Sequence, residues 1–278
     1  VLGTKGNPES FKAGIIEIAN ATIIVKDSHV QNIGIISSSN RTAGILACAT
    51  DADITIDSCT VKNIDSSVSD FGGILSYAND NTGSKKIELT NCKVSDLSTA
   101  GSEFIDVCEK YDEISIKNFT IKNCDNKNLK KWSRGLISYL ESVRVINIEN
   151  IIAKNVTGSV IGCIVPAFTV NKLDSVNISD CYLKDSIISV PLNGNNSVVG
   201  GIISYIYGKD ETEVTIKRCG VSNTKLNQGA ACVAGILGMI EKEKSITISE
   251  CYSSNNEIAY TTSGGNVGGI AAIINPYG

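Results

Sequence analysis

A ten-residue pattern, I-x-I-x-x-C-x-V-x-N, recurs eight times and constrains the fold more than any other feature of the 278-residue chain. It starts at Ile23, Ile54, Ile87, Ile114, Ile146, Val176, Val214 and Ile246, with spacings of 31, 33, 27, 32, 30, 38 and 32 residues. The first and third positions are Ile, Val or Leu in all eight copies, and the position between them is polar in seven. Alternation with period two is the mark of a strand with one face in and one face out. The eighth position is apolar in seven copies, with Ser253 the exception, so a second inward column follows a bend. Such a repeat has no room for a crossover helix and cannot bury its own apolar face, so its neighbours must stack on it.

A second segment, G-I-[IL]-x-[YC], alternates with the first. It occurs at Gly14, Gly44, Gly73, Gly135, Gly201, Gly235 and Gly269, with degenerate copies EFIDVC around Phe104 and IGCIVP at Gly162. Its second and third positions are both apolar, as in Ile45 with Leu46 and Ile202 with Ile203, and its fifth is often Tyr (Tyr77, Tyr139, Tyr205). A strand apolar on both faces is usually buried on both. In a simple tube one face would meet water as a stripe, so this face is expected to pack on another chain, a second copy or a flanking domain.

The tenth position reads Asn32, Asn63, Asp96, Asn123, Asn155, Asp185, Asn223 and Asn255. Asn tolerates the left-handed backbone region, and amides stacked at strand spacing can hydrogen-bond in a column. Asp96 and Asp185 are never adjacent, so each is expected to accept from an Asn on either side. Five of the ten cysteines (Cys59, Cys92, Cys181, Cys219, Cys251) share the sixth position, where other copies carry Ser28, Phe119 and Ile151. A position accepting Cys, Phe or Ile is a core position, so these read as buried thiols rather than disulfides, which parallel side chains make with poor geometry. Cys48 and Cys108 are expected to share the fifth position of the G-I segment. No C-x-x-C pair supports a zinc site.

The asparagine ladder and the two repeated segments resemble the right-handed parallel β-helix of the pectin lyase-like superfamily, and the Gly-Gly-Ile copies are similar to GLUG-type repeats of bacterial surface proteins. The resemblance implies an all-β, right-handed β-solenoid of about eight coils over residues 14–278, with an asparagine ladder and a partial cysteine ladder. Residues 1–13 are expected to be a cap remnant or a preceding coil. The start at Val1, without an initiator Met or a leader, suggests a piece of a larger protein.

The same superfamily hosts lyases, hydrolases, tailspikes and adhesins. The resemblance implies, for its lyases, an acidic Ca²⁺ cluster with an Arg or Lys base, and for its polygalacturonases Asp motifs with Gly-His-Gly and Arg-Ile-Lys; these strings are absent. Candidate acid groups are Asp51 with Asp53, Glu109 with Asp112 and Glu113, and Asp210 with Glu211 and Glu213. Glu241 and Glu243 could join the last as Ca²⁺ ligands, but Lys209, Lys242 and Lys244 interleave with them, as on an ordinary solvated turn. The loop carrying Lys127, Lys130, Lys131, Trp132 and Arg134 is the candidate ligand site, with an indole to stack on a sugar and cations to pair with carboxylates. The lone histidine, His29, reads as surface.

A net charge of −4 argues against a nucleic-acid binder, which should carry a basic face to neutralise phosphates. No window approaches about 18 consecutive uncharged apolar residues, so no membrane insertion is expected. The expectation is a non-enzymatic structural or adhesive module of an extracellular or cell-surface microbial protein, needing no cofactor and binding a glycan or another chain. Self-association through the G-I face or uncapped ends is a further expectation. A β-helix polysaccharide lyase or hydrolase is the alternative, and a self-assembling fibre unit a second one.

Overall fold

In the computed structural model the eight copies of the first segment lie one above another in the predicted register. Ile23 pairs with Ile54, Ile54 with Ile87, and so on through Ile114, Ile146, Val176 and Val214 to Ile246, every pairing parallel. The structure describes residues 11–35, 41–66, 71–99, 104–126, 137–159, 165–169, 173–189, 197–209, 211–227, 230–259 and 265–275. All the regular structure among them is β-strand. The protein is a parallel β-solenoid, and the coils are numbered here 1 to 8 after these copies.

Each coil folds by the alternation in its sequence. First, third and eighth positions point inward, where Ile54, Ile56 and Val61 are at most 1% exposed. Burying each such side chain stabilises by about 1.5–3 kcal/mol. The G-I segments form a separate nine-stranded parallel sheet running from Ile16–Ala19 to Ala271–Asn275. Where the sixth position changes from Cys to Phe119 and Ile151, the core adapts: Phe119 meets Phe104 edge-on at 4.2 Å, and a small apolar cavity remains beside them.

The bends follow from left-handed residues. All eight tenth-position residues have φ between 50° and 58°. So do all eight fifth-position residues (Asp27, Ser58, Asn91, Asn118, Asn150, Asp180, Arg218, Glu250), with φ between 50° and 59°. Six of these eight are Asn, Asp or Ser, a signal the sequence carries. The carbonyl before a bend takes a second bond wherever the inward side chain after the bend is a donor; Asp57, Thr90, Lys217 and Ser249 already accept a backbone N–H from the preceding coil. The thiols of Cys59, Cys92, Cys181, Cys219 and Cys251 donate to the carbonyl two residues back at 3.1–3.4 Å. At the second bend Ser186 and Thr224 do the same. The sixth position therefore selects a small donor as well as a core side chain.

The G-I strand is apolar on both faces because the chain covers its own outer face. Two three-stranded sheets do so: Phe11–Ala13, Arg41–Ala43 and Phe71–Gly72 at one end, and Ser197–Gly200, Ala230–Ala234 and Asn266–Gly268 at the other. The fourth position is small at Ala47, Ser76 and Ser204, all fully buried beneath this cover, whereas the terminal copy carries the exposed Glu17; Gly200 N–H donates to Ser204 Oγ at 3.1 Å. The segment's glycine is required at the turn between the two layers: a Cβ on Gly201 would fall on the Gly235 carbonyl oxygen and lie 2.6 Å from Val221 Cγ2. Ile45, Leu46, Ile74, Leu75, Ile202, Ile203, Ile236 and Leu237 are thus buried within one chain, and they present no apolar stripe to a partner.

Two alignments from sequence are corrected by the register. Val165 pairs with Ile203, a third-position residue, so the degenerate copy is offset by one from an alignment on Gly162. Cys108 pairs with Ala78, one place beyond Cys48, which pairs with Tyr77. Cys108 therefore points into the core, while Cys48 lies under the outer cover.

Candidate functional site

Polar side chains gather in three columns along the solenoid. In the tenth-position ladder four Asn Nδ2 groups reach back to the preceding coil: Asn63 to Asn32 at 2.7 Å, Asn123 to Asp96 at 2.9 Å, Asn155 to Asn123 at 2.9 Å and Asn223 to Asp185 at 3.1 Å. The direction is uniform, so the aspartates accept from one side only. Their second oxygen turns to a lysine of the preceding coil, Lys62 for Asp96 at 4.0 Å and Lys154 for Asp185 at 3.2 Å. A carboxylate cannot donate to the Asn before it, and the lysine beside that Asn supplies the missing attraction. The Asn123 and Asn223 bonds hold Asp96 and Asp185 below the ordinary carboxylate pKa.

The fifth position carries a second ladder. Asn118 donates to Asn91 at 3.0 Å, Asn150 donates to Asn118 at 2.9 Å, and Asn91 donates to Asp57 at 2.8 Å. Further along, Arg218 forks onto Asp180 through two bonds of 2.7 and 2.6 Å, which lowers the Asp180 pKa.

The third column runs through the turns before the I-x-I strands and contains the acid groups singled out from sequence. Asp53 meets Lys85 at 3.3 Å, and Glu113 meets Lys86 at 2.8 Å. Arg144 bridges Asp112 at 2.6 Å and Asp174 at 3.0 Å, and Asp174 also holds Lys209 at 2.7 Å. Glu213 pairs with Lys244 at 2.7 Å. Asp51 accepts from the Asn81 N–H, while Glu109 and Glu241 accept from the Tyr77 and Tyr205 hydroxyls. Lys242 sits over the Tyr207 ring at 5.0 Å. Glu211 is exposed, and Asp210 lies outside the described residues. Among the described residues no three His, Cys, Asp or Glu side chains gather as a metal site. Arg144 and then Lys209 hold Asp112 and Asp174 respectively below the usual carboxylate range. One carboxylate differs: Glu243 is 6% exposed, one of its oxygens has no partner, and burial raises its pKa.

Nine cysteines are described and all are free thiols, eight of them buried. Burial pushes Cys92 up to about 12 and raises Cys59, Cys181 and Cys251, so these are protonated core groups rather than nucleophiles. The candidate loop of Lys127, Lys130, Lys131, Trp132 and Arg134 lies outside the described residues. No helix among the described residues is long and apolar enough to cross a membrane.

Fold and columns together define a parallel β-solenoid laced along its length by polar side-chain ladders. No protein-family model, curated protein or solved structure matches the chain, and neither the pectin lyase-like nor the GLUG resemblance gains support from these comparisons.

Proposed function

We propose that the chain is a non-enzymatic structural and adhesive module of a microbial cell-surface or secreted protein, a stiff rod that holds side-chain columns towards a glycan or another chain. What supports this reading is the pairing of the turn carboxylates. Asp53, Asp112, Glu113, Asp174 and Glu213 each face a Lys or Arg at 2.6–3.3 Å. A general acid or base works with a pKa near the operating pH, whereas Asp112 and Asp174 are shifted away from it. The pairs join neighbouring coils, a role in holding the stack together.

Incubation of the purified chain with pectate, alginate, xylan and β-glucan, with and without Ca²⁺, tests the reading. Unchanged polymer length is expected. A fall in polymer length that is lost on Asp112→Asn or Asp174→Asn would establish the lyase or hydrolase alternative instead.

A further inference from the structure

We propose that the seventh-position column over coils 5 to 8 is a stacking platform for a neutral pyranose polysaccharide, a proposal that rests on the adhesive reading and gives it a site. In coils 1 to 4 this outward column is polar: His29, Thr60, Lys93 and Thr120. In coils 5 to 8 it becomes Ile152, Tyr182, Gly220 and Tyr252, stacked in register. Ile152 is 41% exposed and Tyr252 40%. Gly220 has a specific role here, because a Cβ at that position would collide with the Tyr252 ring. The missing side chain lets Tyr252 lie down across coil 7 towards Tyr182. The two ring centroids are 6.3 Å apart and the planes 33° from parallel, so the rings form a shallow two-ring surface.

The hydroxyls point to the ligand class. Tyr77, Tyr111 and Tyr205 each spend theirs on a partner within the chain: Glu109, the Ala52 carbonyl and Glu241. No such bond from Tyr182 or Tyr252 is found among the described residues. The charges around the rings are already paired, Arg218 with Asp180 at 2.6 Å, Lys154 with Asp185 at 3.2 Å and Lys217 with Glu250 at 3.2 Å. Lys184 lies 5.6 Å from the Tyr182 ring centroid. The surface therefore offers apolar ring faces, free hydroxyls at their rim and little uncompensated charge. A pyranose has the complementary form, with C–H bonds on its face and hydroxyls around its edge. A protein partner fits less well: a stable interface takes roughly 800 Å² from each side, and two rings with one Ile, none more than 41% exposed, supply well under half of that, between columns of amides and ion pairs.

The test is affinity electrophoresis of the full chain in gels containing galactomannan, hydroxyethylcellulose or arabinoxylan, with polygalacturonate as the acidic probe. Retardation by at least one neutral polymer is expected, little changed by added salt. Tyr182→Ala with Tyr252→Ala should weaken it about tenfold or more, the loss expected of about 1.4 kcal/mol of stacking, while Tyr252→Phe keeps most of it. Tyr252 is exposed and Tyr182 half-buried, so circular dichroism and melting of each variant are read beside the binding to show that the fold is kept. Retardation by none of the neutral polymers, by polygalacturonate alone, or equally in the double variant overturns the platform. Any of those results without polymer cleavage leaves the non-enzymatic reading standing, and cleavage is what would remove it.

Discussion

Replacing Asn118 tests the second ladder, because glycine and alanine should rank there in the reverse of their usual order within strands. Asn118 has φ 59°, donates to Asn91 at 3.0 Å and accepts from Asn150 at 2.9 Å. Either substitution removes both bonds, which are exposed and so contribute about 0.5 kcal/mol each, the low end for a hydrogen bond. Alanine additionally meets the left-handed penalty of about 1–2 kcal/mol. Glycine escapes that penalty but loses about 0.5–1 kcal/mol through chain entropy. Asn118→Ala should therefore destabilise by about 2–3 kcal/mol and Asn118→Gly by about 1.5–2 kcal/mol. Urea unfolding followed by far-ultraviolet circular dichroism, with slopes equal to wild type, reads the order of the midpoints. An alanine variant as stable as the glycine variant, or more so, would refute the role assigned to the left-handed column.

The remaining predictions concern packing, charge and thiols. Gly201→Ala forces its Cβ towards Val221 and the Gly235 carbonyl and should cost about 3 kcal/mol, while Gly34→Ala, with nothing within 4 Å of the added carbon, should be close to neutral; equal denaturation midpoints would contradict this. Asp96, Asp112, Asp174, Asp180 and Asp185 are all held below their ordinary pKa, so their contribution is complete above about pH 4 and is lost as pH falls through the folded values. The melting temperature should stay flat on that account from neutral pH to near pH 5 and drop below pH 4, less steeply in high salt; salt-insensitive acid unfolding would count against the ladders. Glu243 runs the other way, its raised pKa making the charged form unfavourable, so Glu243→Gln should raise the melting temperature at pH 7, and a fall would show that the charge is stabilising. All ten cysteines should react with a thiol reagent in denaturant without reductant, whereas in the native protein half-buried Cys251 should react before the eight described buried thiols; fewer than ten reactive thiols in the unfolded chain would reveal disulfides.

The stacking was legible because a repeat prints its register in the chain. Ile23 and Ile54 hold the same place in the repeat and pair with each other across neighbouring coils. The tenth-position ladder was legible for the same reason, as Asn or Asp fills every copy. The fifth-position ladder was harder to see because Arg218 and Glu250 break its composition although they share its backbone conformation. The outer cover went unread because its trace is a small residue at the fourth position of the G-I segment, such as Ala47 or Ser76, which has meaning only once a strand lies against it. Acid groups that look clustered along the chain, such as Asp112 with Glu113, have their true neighbours one coil away: Asp112 meets Arg144 and Glu113 meets Lys86. Tyr182, Gly220 and Tyr252 are scattered in sequence, and only the register makes them one surface.

Distances between spin labels test the solenoid most directly. Labels placed in pairs at the outward ninth position, at Lys62 with Lys122, Lys184 or Ser254, span two, four and six coils by the observed pairings. At about 4.8 Å per coil the separations should be about 10, 19 and 29 Å, rising in proportion to coil number. Pulsed electron resonance on frozen solutions covers the two longer distances, and continuous-wave line broadening covers the shortest. A linear increase is the predicted result; a separation for Lys62 with Ser254 no greater than that for Lys62 with Lys184 would contradict the stacked architecture on which every assignment above depends.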